Sequence, residues 1–137
     1  MLQRRLFVGC TLCTIGGLTA TAVAAEPAAP AMAGIKRKIL QQTDGPMPGY
    51  VTVIAEVEIE AGAAVPRHTH PGIESAYMTE GNGELSVDGQ PSRQVKGGDG
   101  FQIPIATPHS YRNGDKSAKL AVTYIVEKSK PIVVLAE

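Results

Sequence analysis

From Ile35 onward no window of the chain shows apolar residues recurring at helical spacing, whereas several stretches alternate apolar and polar side chains. Over Tyr50–Glu60, Val51, Val53, Ala55, Val57 and Ile59 fall on one face, and Thr52, Glu56, Glu58 and Glu60 fall on the other. A strand with one face on a core and its acids in solvent has this pattern. Similar segments run over 74–79, 84–87, 101–103, 118–126 and 132–135. Turn signals separate them at Asp44-Gly45-Pro46, Gly81-Asn82-Gly83, Asp88-Gly89, Gly97-Gly98-Asp99-Gly100 and Asn113-Gly114-Asp115. Short strands punctuated this often predict an all-β sandwich or small barrel, and no internal repeat is visible.

A chain of 137 residues leaves room for one compact domain, here 35–137, and excludes a two-domain enzyme. Residues 1–25 are expected to be a signal peptide: Arg4 and Arg5 open it, a weakly apolar stretch follows, and Val23-Ala24-Ala25 offers small residues for cleavage. Arg4-Arg5-Leu6-Phe7-Val8 resembles a twin-arginine signal, with an ordinary secretory leader as the alternative. Either route places the mature protein in the periplasm or outside the cell, and removal of the leader leaves no membrane anchor. Residues 26–34, with Pro27 and Pro30 and little to bury, are expected to form a flexible linker.

The leader carries two basic residues and no acid, so the remaining residues hold 13 acidic against 11 basic side chains, an excess of 2 negative charges. Nucleic acid is therefore not an expected partner. Lys36-Arg37-Lys38 is too small for a nucleic-acid footprint and is read as a solvated face. Both cysteines, Cys10 and Cys13, lie in the leader, which excludes disulfides and thiolate-bound zinc from the mature domain.

The chemistry concentrates in three histidines and one glutamate. His68 and His70, two apart in an extended segment, project to the same face, where both imidazoles can reach one ion at ~2.0–2.2 Å. Glu74 follows the bend Pro71-Gly72-Ile73, which can return its carboxylate to the same centre. Taken alone, these positions fit a solvent-facing pair and a surface acid equally well.

The run from Gly62 through His68-Thr69-His70-Pro71-Gly72-Ile73-Glu74 to Gly81 matches the first motif of the cupin family at every defined position. The run Gly98 through Pro104 and His109 to Asn113 matches the second, except for Ala106, where the family usually has glycine. The chain thus resembles a small cupin of the quercetin-dioxygenase-like type from Ile35 to about Val126. That resemblance implies a double-stranded β-helix, or jelly-roll barrel, with a divalent metal held inside by His68, His70, Glu74 and His109. Ala106 puts only the local turn in question, because alanine tolerates a positive φ poorly.

Three neutral imidazoles and one carboxylate around a divalent ion leave a charge of +1 and, in an octahedral ion, two open positions, which suit a small chelating anion. The donor set fits iron, manganese, nickel, copper and zinc alike. Strand parity puts Ala76 and Met78 on the face of Glu74 and Tyr111 on that of His109, so Met78, Phe101 and Tyr111 are the expected substrate-pocket residues. No second acid and no substrate-clamping arginine is expected inside the barrel, which leaves Glu74 as the catalytic candidate, both ligand and base. The expected function is a metal-dependent, dioxygenase-like oxidoreductase acting on a small anionic or phenolic compound. A non-catalytic module that binds a metal or small ligand is the alternative, and a homodimer that covers exposed strand edges is the expected assembly.

Overall fold

The computed structural model describes residues 32–137. The expected signal peptide, and the expected linker as far as residue 31, lie outside the described residues. Ten strands follow in chain order: β1 (Ile35–Asp44), β2 (Tyr50–Ile59), β3 (Ala64–Thr69), β4 (Gly72–Glu80), β5 (Asn82–Val87), β6 (Arg93–Lys96), β7 (Gly100–Ile103), β8 (His109–Asn113), β9 (Ala118–Glu127) and β10 (Val134–Leu135). No helix occurs among the described residues.

The strands form two five-stranded sheets, ordered β1-β2-β9-β4-β7 and β10-β3-β8-β5-β6, with every pairing antiparallel. Alternation decides which side chains meet between them. In β9, Ala118, Leu120, Val122, Tyr124 and Val126 are all buried, as are Val51, Val53, Ala55 and Ile59 in β2. Met78, Val53, Val95, Ile103, Val122 and Val126 are almost wholly withdrawn from water and fill the space between the sheets. This is the expected double-stranded β-helix in a single domain.

Several elements depart from the sequence pattern. β6 has only one buried residue, Val95, so no alternation announces it. Ile132 and Val133 are buried as expected, but only Val134 and Leu135 pair as a strand, against Thr69 and His68. The expected linker does not extend to residue 34: Met32 packs against the core, Ile35 N–H donates to Met32 O, and Gly34 O accepts from Glu60 N–H at 2.8 Å. An apolar methionine beside an apolar barrel gains from burial, and Gly34, at φ +75°, supplies the turn.

Candidate metal centre

β3 carries His68, and His70 lies just past its end. Gly72 then starts β4 and places Glu74 two residues further on the inner face. This crossing is tight: a Cβ on Gly72 would collide with the carbonyl of Ile125 on β9, so β4 can approach β9 here only through glycine. His109 opens β8 and pairs with His68 across the other sheet. The two stretches that hold the four side chains thus meet where the sheets face each other.

The turn before β8 is strained. Ala106 adopts φ +54°, the left-handed conformation that the sequence left in question. Its N–H donates to His70 O at 3.1 Å, and Thr107 N–H donates to Pro104 O. The strained residue thereby ties the turn leading to His109 directly to the backbone of His70.

All four side chains are buried, and one ligand atom from each lies within 4.8 Å of every other. Each imidazole is oriented by a backbone carbonyl: His68 Nδ1 donates to Pro66 O at 2.8 Å, His70 Nδ1 to Ile132 O at 2.6 Å and His109 Nδ1 to Thr107 O at 3.0 Å. A carbonyl only accepts, so each Nδ1 must carry hydrogen, and in the neutral ring each Nε2 presents a lone pair. Two of these nitrogens sit against one carboxylate oxygen, His70 Nε2 at 2.8 Å and His109 Nε2 at 3.1 Å from Glu74 Oε2.

A lone pair facing a carboxylate is repulsive. The contacts require either a second proton on the ring, making an imidazolium, or a cation shared between the groups. The spacing fits the second: adjacent ligands at ~2.1 Å from one octahedral ion stand ~3.0 Å apart. Orientation of each ring through its other nitrogen is also how metal-binding histidines are generally held. His68, His70, Glu74 and His109 therefore form a donor set able to hold a divalent metal, and it does not distinguish among iron, manganese, nickel, copper and zinc.

Burial in the metal-free site pushes His68 down to about 4, helped by the neighbouring His109. Burial alone would raise Glu74, but Nε2–H donation from His109 and His70, which requires each ring to carry its second proton while no cation is shared, outweighs it and holds the carboxyl at about 2. Both groups thus favour the forms a metal needs, a neutral imidazole and an ionised carboxylate.

A cavity of about 280 Å³ opens beside His68, Glu74 and His109. Of the three residues expected at a substrate pocket, Phe101 and Tyr111 line this cavity and Met78 does not. Met78 has no exposed surface and packs entirely into the core, because the inner face of β4 is covered by the opposing sheet at that level. The Tyr111 ring forms wall, while its hydroxyl turns to Asn113 Oδ1 at 3.0 Å, and Asn113 in turn donates to the carbonyls of Ile59, Glu60 and Lys116. Tyr111 thus ends in a structural network.

Two cavity residues were not foreseen. Tyr124 stands opposite Glu74 in the β4–β9 register and its ring packs on His70, centroids 5.1 Å apart. Burial raises its phenol, and the negative charge of Glu74 adds to this. Arg37 also lines the cavity, which corrects the reading of residues 36–38 as a wholly solvated face and the expectation that no arginine enters the barrel. The signal was the alternation Ile35-Arg37: pairing puts Ile35 opposite Ile59 and Arg37 opposite Val57, on the inner side of β2. Among the described residues that line the cavity, Glu74 is the only acid.

A family model described as Cupin domain matches residues 55–126. No curated protein sequence matches the chain significantly. Among solved structures, the DMSP lyase DddQ from Ruegeria pomeroyi DSS-3 is 26% identical with a TM-score of 0.60, over 69% of this chain and 44% of that one. The chain therefore spans less than half the length of that lyase. An RmlC-like cupin from Shewanella frigidimarina NCIMB 400 is 23% identical, TM-score 0.58, over 67% of this chain and 76% of that one. A recombinant oxalate oxidase in complex with glycolate is 21% identical, TM-score 0.59, over 80% and 59%. The last two share the fold. With its two facing sheets, its motif residues gathered at one centre and more than half its length matched, the chain belongs to the cupin domain family.

Proposed function

We propose that the protein is an exported, metal-dependent oxidoreductase, dioxygenase-like, acting on a small anionic or phenolic compound. The observation that carries this is the convergence of three carbonyl-oriented imidazoles and one carboxylate beside an open cavity, rather than at a sealed point. A site that only stored an ion has no use for adjoining space of about 280 Å³, the volume of ~9 waters. A bound redox-active metal supplies charge stabilisation for an electron-rich oxygen anion and access to oxygen chemistry.

The chain's own groups provide the rest. Apolar walls from Val57, Leu85, Phe101 and Val122 exclude water from a ligand seated beside the centre. Glu74, the acid among the described residues that line the cavity, is the group that accepts and returns a proton. Tyr124, neutral and beside Glu74, is a hydrogen-bond donor for a ligand in the cavity. The leader expected over 1–25 puts this chemistry in the periplasm or outside the cell, and pairing as a homodimer belongs to the same proposal.

Oxygen uptake measured with a panel of phenols and 1,3-diketones, on protein loaded separately with iron, manganese, nickel and copper, tests the proposal. Uptake with at least one combination, abolished in Glu74→Gln, is the expected result. Silence across the whole panel would replace the enzyme by a binding module.

A further inference from the structure

Among the described residues, Arg37 is the one cationic side chain, other than the histidines, that lines the cavity. It is half-buried, whereas Lys36 and Lys38 on either side of it are exposed. Among the described residues no carboxylate lies within ion-pair distance of its guanidinium, although the cations Arg67, Lys96, Lys119, Lys128 and Lys130 each have one. Met32, Ile35, Val57 and Ile59 line the same cavity and offer no side-chain acceptor, and the phenol of Tyr124 is the side-chain hydrogen-bond partner of the Arg37 guanidinium.

A half-buried guanidinium beside apolar walls, with one phenol and no acid as partner, gives up part of its solvation for a single protein contact and keeps further N–H donors for a ligand. A ligand carboxylate replaces the lost solvation, through the fork of N–H donors that matches two carboxylate oxygens. The position lies on the first strand, outside the stretch 55–126 that matches the family model.

We propose that Arg37 is an anion subsite, and that the ligand is a small carboxylate whose other end reaches the metal centre. This rests on the proposed function and narrows its substrate to compounds of roughly nine or ten non-hydrogen atoms with an apolar body between two oxygen-bearing ends. Arg37 is a binding and specificity-determining residue; it touches none of the four metal-ligand side chains by hydrogen bond or ion pair.

The test separates this subsite from the metal. Metal-free protein is titrated with benzoate and with its neutral isostere benzamide, followed by NMR shifts and calorimetry, and zinc affinity is measured in parallel on the wild type. Benzoate is expected to bind at least ~10-fold more tightly than benzamide, with the preference lost in Arg37→Gln and Arg37→Ala and partly kept in Arg37→Lys. No benzoate binding, no preference over benzamide in the wild type, or an unchanged preference in Arg37→Gln would each overturn the subsite. Failure of zinc to bind the wild type would overturn the metal centre instead, and leaves the benzoate comparison readable.

Discussion

Ala106 holds a left-handed backbone at the turn that delivers His109, and its amide is bonded to the carbonyl of His70. An L-residue in that conformation costs ~1–2 kcal/mol, partly offset because glycine loses more freedom on folding. Ala106→Gly should therefore stabilise the protein by ~0.5–1 kcal/mol in denaturant titration, with metal affinity retained. The ligands themselves predict the opposite balance. His70→Ala and His109→Ala should lower metal occupancy at least ~10-fold, by elemental analysis, while circular dichroism still reports a folded barrel. Full occupancy in either variant would show that the ion is held elsewhere. At this scale the sequence was most legible where a motif fixed both spacing and identity: His68, His70, Glu74 and His109 arrive together as expected. It was least legible for Arg37 and Tyr124, because a side chain's face follows from alternation, but what it faces follows from a register that no local pattern encodes.

Strands with strong alternation, β2 and β9 above all, were visible in the chain, and their buried faces are the expected ones. β6 was invisible because four residues with one buried side chain carry no periodic signal. Met78 was misplaced for a related reason: parity put it on the inner face, yet part of that face is solid core and part is cavity. The join between β4 and β9 offers a test of how these elements position the centre. Gly72→Ala drives a methyl into the Ile125 carbonyl, so β4 must retreat from β9 at the level that sets Glu74 opposite Tyr124. A loss of ~2–3 kcal/mol in stability, together with weaker metal binding, is expected. Stability near wild type would mean that the strand ends bend freely without disturbing the pair.

For the molecule as a whole, the buried site links folding to pH. His68 takes up a proton near 6.5 when unfolded but only near 4 in the folded, metal-free protein, so between those values the unfolded chain binds more protons. Its contribution is complete above pH 6.5 and is lost as pH falls to about 4. Glu74 behaves likewise lower down, from an unfolded value of 4.5 to about 2. Thermal unfolding of the metal-free protein should therefore show a Tm that declines in two stages on acidification. His68→Gln should remove the upper stage and leave the lower one. A Tm independent of pH between 7 and 4 in the wild type would contradict this burial-driven shift. Chelation of the metal should lower Tm without unfolding the protein at neutral pH, because the sheets bury their apolar faces with or without it.

β1 is bonded along one side only, to β2, and forms the border of its sheet. Natural variation can rewrite such a border cheaply: a change in the ten residues from Ile35 to Asp44 leaves every ligand-bearing strand untouched. Descendants of one ancestral barrel could thus diverge in diet by editing a hem of backbone, while inheriting their inorganic chemistry unaltered.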